Sequence, residues 1–256
     1  MRVLAVTAWT TPEQFAAWGW RLPFLFSIVL VGIGLVVRLS LAESPVFTTL
    51  HREQARSSRP IAEVFRERRR EVVLASLSFV ANTAIGYILL AYLLAYGTTV
   101  LKLSRGFMLT VVIIGSVVWL VSIIVGARWS DRVGRRPVYL VGFVLLVVWA
   151  FPFLLLIDTA VPALIVLSVV VLTIGLGLSY GPQAAFFAEL FEPRYRYSGA
   201  SFAYALGAVL GGGFAPLIAS ALQTATGASW PVSAYMLVVG LISLGAVLAL
   251  RETRVP

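Results

Sequence analysis

The sequence predicts an all-α membrane protein with seven complete spanning helices, and three observations carry that prediction. The 256 residues are 60% hydrophobic and 12% charged, against about 45–50% apolar and about 25% charged in soluble globular chains. Mean hydropathy is +0.95. The apolar residues gather into runs of about 20, the length that crosses a bilayer core, and basic residues crowd into every second interval between the runs.

In chain order, the spans fall at about 20–40, 72–97, 107–127, 138–157, 161–182, 200–222 and 231–250. Residues 2–10 read as the end of a further span. The N-terminal stretch is a poor signal peptide, because its apolar part is short and no small-residue cleavage site precedes the next span. The interval after the first span holds Arg38, Arg52, Arg56, Arg59, Arg66, Arg68, Arg69 and Arg70. The interval 126–137 adds Arg128, Arg132, Arg135 and Arg136, a third holds Arg194 and Arg196, and the tail holds Arg251 and Arg254. These are 16 of the 20 basic residues. Lys and Arg resist translocation, so these intervals and the C-terminus are expected in the cytoplasm. The net charge of +9 is therefore a topology signal, and no soluble basic face suggests nucleic acid as a partner.

Composition excludes several chemistries. The chain has no cysteine, which removes disulfides, thiolate catalysis and cysteine metal sites. Its single histidine, His51, lies in a polar interval and makes no metal site alone. Its single lysine, Lys102, lies between two spans, where it cannot serve as an intramembrane Schiff base. No catalytic constellation lies within the spans, so an enzyme is disfavoured. Neither a metal nor a cofactor is expected.

Residues 43–71 form the one long polar stretch. From Pro60 to Arg70, helical spacing places Ile61, Val64 and Phe65 on one face and arginines on the other. That pattern suits a short helix on the membrane surface, although a solvated linker gives the same composition. Either way the stretch reads as a bridge between two bundles.

The interval Gly126–Pro137, GARWSDRVGRRP, reads as a tight loop. Asp131 is expected just past a helix end, pairing with Arg132 and Arg135 and capping the positive N-terminus of a neighbouring helix. Gly134 permits the turn. A pure topology anchor is the plainer alternative.

These residues resemble the signature loop of the major facilitator superfamily of secondary transporters. Two further segments narrow the resemblance to its metabolite:proton symporters, which include shikimate, proline/betaine and α-ketoglutarate permeases. The first is Trp18-Gly19-Trp20-Arg21-Leu22-Pro23-Phe24 with Glu43-Ser44-Pro45-Val46-Phe47. The second runs from Gly181-Pro182-Gln183 through Ala188-Glu189-Leu190-Phe191 and Arg194-Tyr195-Arg196-Tyr197-Ser198-Gly199 to Gly211-Gly212-Gly213-Phe214-Ala215-Pro216. The resemblance implies the C-terminal six-helix bundle of the major facilitator fold plus one preceding transmembrane helix. Residues 1–42 would be the end of helix 5 and helix 6, 43–71 the cytoplasmic linker, and 72–256 the bundle.

It further implies a cytoplasmic gate at Gly126, Asp131, Arg132, Gly134, Arg135 and Arg136. The chain departs from the family pattern there: Ala127 stands where glycine is usual, with Gly126 beside it, and Trp129 replaces leucine. Close helix approach at that point is therefore open. The implied function is proton-coupled symport of a small organic acid or a betaine- or amino-acid-like solute, in a bacterial inner membrane. The coupling ion would be H+. No titratable acid stands out inside a span, so the coupling carboxylate is expected in an N-terminal half that this chain lacks. The chain is then expected to be inactive alone, as a fragment or as one half of a split transporter with a separate partner half. A non-transporting membrane scaffold derived from a transporter is the alternative. A seven-helix receptor fits the span count but not these motifs.

Candidate solute contacts are neutral. Asn82, Tyr92 and Tyr96 share one helical face. Thr173, Gly177, Tyr180 and Phe187 share another, with Gln183 at its edge, and Tyr204 joins them from the next span. Tyrosines at an interfacial belt, and amides gluing helices together, would give the same pattern. Leu94 stands where relatives often carry proline, which suggests a different substrate. Gly181, Pro182, Gly211, Gly212, Gly213 and Pro216 mark sites of helix bending or close packing.

Overall fold

The structure is a computed structural model and describes residues 11–40, 64, 66–192 and 195–253. The expected surface-helix positions Ile61 and Phe65, the Glu43–Phe47 motif, His51, Arg194 and the apolar residues 2–10 lie outside the described residues. The chain divides into two units, Met1–Arg56 and Ser57–Pro256.

Among the described residues, the first helix of this unit is α1, Pro12–Ala17, entered through a capping box in which Thr11 and Gln14 exchange side-chain-to-backbone hydrogen bonds. A 3₁₀ turn, Gly19–Arg21, leads into α2, Leu22–Ser40. Arg21 donates to the Ala17 carbonyl at 2.6 Å and lies 4.6 Å from the Trp20 ring centre, so its charge is held at the helix entrance. Gly19–Ser40 is long and apolar enough to cross a membrane.

The second unit contains six further helical spans. The first is α3, Arg69–Tyr87, continued by a π-helical turn, Ile88–Tyr92, and α4, Leu93–Thr99. The second is α5, Arg105–Val133, and the third α6, Arg135–Asp158. The fourth comprises α7, Pro162–Tyr180, and α8, Gln183–Leu190. The fifth comprises α9, Arg196–Ala208, a second π turn, Val209–Gly213, and α10, Ala215–Thr226. The sixth is α11, Trp230–Ala249. The expected spans are all present; the first and last agree with expectation to within one residue, whereas α5, α8 and α10 run four or more residues past their expected C-terminal ends.

Their packing has internal symmetry. The first span packs on the fifth and sixth, the fourth packs on the second and third, and the third packs on the sixth. Exchanging the first three spans with the last three leaves this pattern unchanged. Three crossings return the chain to the opposite side, so the two triplets form an inverted repeat. The core between them holds Phe79, Ile85, Leu89, Phe143, Leu146 and Phe186, all fully buried.

Small and polar residues set the close contacts, as expected where lipid offers helices no hydrophobic reason to associate. A Cβ on Gly181 would sit 2.6 Å from the Ile123 carbonyl, and one on Gly207 would sit 2.6 Å from the Ser76 carbonyl. Gly126 lies against Leu178 and Gly177, so close approach is made here despite Ala127. The Ser243 hydroxyl donates to the Leu77 carbonyl at 2.6 Å and accepts from the Ala81 amide at 3.0 Å, bridging an i, i+4 pair of α3. Ser168 donates to the Phe153 carbonyl at 2.7 Å.

The interval 126–137 differs from the expected loop. Helix α5 continues through Asp131 to Val133, and α6 starts at Arg135. Only Gly134 interrupts them, at φ 109° and ψ 157°, a region open essentially to glycine alone. Arg69 and Arg70 likewise begin the membrane-spanning α3 rather than end a separate surface helix, and Val64 is buried.

Candidate functional site

Two polar groupings stand out in the bundle. The first is a cavity of about 390 Å³ lined by Tyr180, Gln183, Ala184, Phe187, Ala200, Ser201 and Tyr204. The break between α7 and α8 builds it. Pro182 has no N–H to return to the Leu178 carbonyl, so the helix is interrupted at Gly181-Pro182 and restarts at Gln183. This aims Gln183 and Phe187 of α8 towards α9, whose Ala200, Ser201 and Tyr204 form the opposite wall.

Inside it, the Tyr180 and Tyr204 hydroxyls stand 3.4 Å apart, a long contact for two hydroxyls. Phe79 packs behind both rings, 4.6 Å from the Tyr204 centroid and 6.1 Å from that of Tyr180. Gln183 is 3% exposed, and neither its Nε2 nor its Oε1 has a hydrogen-bond partner. A buried primary amide with both ends open is costly unless something else completes it.

The other expected solute contacts lie elsewhere. Asn82 is buried between helices, and its Nδ2 donates to the Leu176 carbonyl at 3.0 Å and to Ser179 Oγ at 2.7 Å. Tyr92 and Tyr96 stack 5.5 Å apart at the far end of the first span. Tyr96 donates to Asp158 at 2.7 Å, and Ser229 donates to the same carboxylate. The Tyr92 hydroxyl is buried without a partner. Asp158 thus joins three spans, a role that its position at a helix end did not announce. Thr173 and Gly177 belong to the seam with α5. Thr173 bonds within its own helix, and Gly177 abuts Ser122.

The second grouping surrounds Gly134. Arg135 pairs with Asp131 across the turn, donates to Ser130 at 3.0 Å, and reaches Glu189 at 3.3 Å. Thr253 donates to Glu189 at 2.8 Å. Asp131 does not cap the neighbouring helix as expected. Glu252 does so, accepting the Arg135 and Arg136 backbone amides at 3.0 Å each. Asp131 lies in the last turn of α5, whereas the tail after α11 turns back over the start of α6. In exchange, Arg136 donates to the Val247 and Leu248 carbonyls, at 3.2 and 2.6 Å, closing the C-terminal end of α11. The turn therefore ties α5, α6, α8 and the tail into one network.

The expected bending sites are helix irregularities. Gly211, Gly212 and Gly213 lie in the second π turn, and Pro216 sits in the first turn of α10. Gly211 abuts Val80 and Thr83, and Gly212 abuts the Tyr87 ring.

Residues 13–216 and 120–256 match the model of the Major Facilitator Superfamily. The chain belongs to the Major Facilitator Superfamily. Its relatives within the superfamily include an inner membrane metabolite transport protein of Escherichia coli, 34% identical over 95% of this chain and 56% of the relative. A shikimate transporter of Escherichia coli is 33% identical over 98% of this chain and 58% of the relative. A citrate-proton symporter of Klebsiella pneumoniae is 32% identical over 87% and 50%. The chain spans about half the length of these curated relatives. The six-span bundle is a bundle of the major facilitator fold.

Proposed function

We propose that this chain is the C-terminal bundle of a secondary active transporter that moves a small organic acid, or a betaine- or amino-acid-like solute, together with protons. Transport proceeds by rocking of two bundles around a central site. The second bundle comes from a segment outside this chain or from a separate chain. Superfamily membership supports the class, and the names of the relatives support the range of solutes. The observation that carries the reading is the cavity beside the α7–α8 break, walled by Tyr180, Ser201 and Tyr204.

Proton coupling is assigned to the other bundle. Among the described residues, the acids of the six-span unit, namely Glu67, Glu71, Asp131, Asp158, Glu189, Glu192 and Glu252, lie at or beyond helix ends. A carboxylate that titrates during transport is expected deep in the membrane, where charge is costly. The protein resides in a bacterial inner membrane with its C-terminus in the cytoplasm.

The test is uptake of labelled organic acids and betaines into vesicles energised by a proton gradient. The chain joined to a six-span N-terminal bundle is expected to give saturable uptake that a protonophore abolishes. The chain alone is expected to give none. Saturable uptake by the chain alone would overturn the two-bundle reading.

A further inference from the structure

A second cavity, of about 270 Å³, opens between the start of α3 and the ends of α8 and α11. Arg70, Glu71 and Leu74 of α3, Leu190 of α8, and Leu250 and Arg251 after α11 line it. Arg70 and Ala249 stand at the ends of membrane-length spans, so the cavity lies at the depth of lipid headgroups. Arg136, beside the Gly134 turn, bonds to the last turn of α11, which puts the cavity and that turn at one end of the bundle.

Its charge is unbalanced. Arg251 is exposed and has no hydrogen-bond or ion-pair partner among the described residues. Arg70 is exposed too, and gives one bond to the Ala249 carbonyl at 3.2 Å, with no carboxylate partner among the described residues. Glu71 faces Arg68 at 3.9 Å, and Arg68 also pairs with Glu192. Two arginines and one glutamate leave the lining with one net positive charge. The end of α11 does not oppose an anion, although a helix C-terminus carries negative dipole ends. Arg136 takes the Val247 and Leu248 carbonyls, and Arg70 takes that of Ala249.

The geometry selects a ligand class. A phosphodiester carries one negative charge, and its oxygens suit guanidinium groups arriving from two helices. A zwitterionic headgroup brings its own cation, which a positive lining disfavours. Leu74 sits one helical turn deeper than Arg70 and, with buried Leu190 and Leu250, gives the cavity an apolar side. That side suits the glycerol and first methylenes of a lipid.

We propose that this cavity binds the phosphate of an anionic headgroup, with Arg70 and Arg251 as its ligands. The site goes beyond the transport reading and stands whatever solute the protein carries. Inorganic phosphate shares the chemistry and is tested as the other source.

The test is native mass spectrometry of the full 256-residue chain with phosphatidylglycerol and phosphatidylcholine of the same acyl chains. Phosphatidylglycerol is expected to bind about tenfold more tightly. In Arg251→Gln and in Arg70→Gln that preference is expected to fall to about threefold or less, and in the double variant to vanish. Arg128→Gln removes an exposed arginine outside the cavity and is expected to leave the preference unchanged. Thermal unfolding checks the fold. Arg251→Gln is expected to melt like the parent, because it breaks no bond to the described protein, and it decides the matter should Arg70→Gln fail to fold. Calorimetry with inorganic phosphate, on the chain in phosphatidylcholine nanodiscs, separates the sources. A lipid preference without phosphate binding assigns the site to a headgroup. Phosphate binding that Arg251→Gln removes assigns it to a soluble phosphate. Neither lipid preference nor phosphate binding would overturn the proposal. So would a preference that survives Arg251→Gln, or one that Arg128→Gln weakens equally, since diffuse surface charge would then explain it.

Discussion

Asn82 and Gln183 are both amides with almost no exposed surface, yet their surroundings give them opposite prospects. Asn82 spends its donors on the Leu176 carbonyl and Ser179, so it joins α3 to α7. Gln183 spends nothing on the protein. Replacing Asn82 by alanine removes two interhelical hydrogen bonds and is expected to cost roughly 1–2 kcal/mol, the range of such bonds in membranes. The measurement is reversible unfolding in mixed micelles, followed by tryptophan fluorescence. A loss below about 0.5 kcal/mol would show that Asn82 is not a structural tie. The residue types and their helical faces were readable from spacing alone. Their partners were not, because Ser179 lies 97 residues away from Asn82, and Asp158 and Ser229 meet Tyr96 only through packing.

At the scale of elements, hydropathy located each span but misplaced the ends. Polar residues look like loop in a hydropathy profile, yet Arg and Asp at a helix end can stay helical while their heads reach water. That is why α5 runs to Val133 and one glycine suffices for the turn. The backbone conformation and the neighbouring carboxylate both bear on that glycine. A Cβ at Gly134 would lie 2.8 Å from Glu252 Oε2, so Gly134→Ala both strains the turn and displaces the cap of α6. The expected cost is about 2–3 kcal/mol, combining strain of 1–3 kcal/mol with part of a cap. Glu252→Gln keeps one of the two accepting oxygens, loses the other together with the charge, and is expected to cost about 1–2 kcal/mol. The same unfolding measurement ranks the two. If Glu252→Gln proves more damaging than Gly134→Ala, the tail carboxylate, not the geometry of the turn, holds this corner together. The α7–α8 break was visible as Gly181-Pro182. The π turns were not, since a π turn keeps helical dihedrals and shifts only the hydrogen-bond register.

For the whole molecule, the inverted repeat and the arginine distribution make one joint demand. Each triplet of spans must begin and end on opposite sides, and the Gly134 turn must share its side with the tail that caps it. Glu252 on α6 already places those two together, so the charge rule has only to choose which side that is. The distribution of arginine leads us to expect it inside. The absence of cysteine from the chain makes this directly measurable, because any introduced thiol is the sole target. Thr99 and Thr226 end spans on one side, whereas Arg128 and Arg251 lie near the turn and in the tail, and all four are exposed. Thr99→Cys and Thr226→Cys are expected to react with a membrane-impermeant maleimide on intact cells. Arg128→Cys and Arg251→Cys are expected to react only after the cells are permeabilised. Labelling of Arg128→Cys from outside would invert the topology, and with it the assignment of the Asp131–Arg135–Glu189 network to the cytoplasmic face. A split result, with Arg128→Cys and Arg251→Cys on different sides, would contradict the Glu252 cap itself, because no carboxylate reaches across a bilayer.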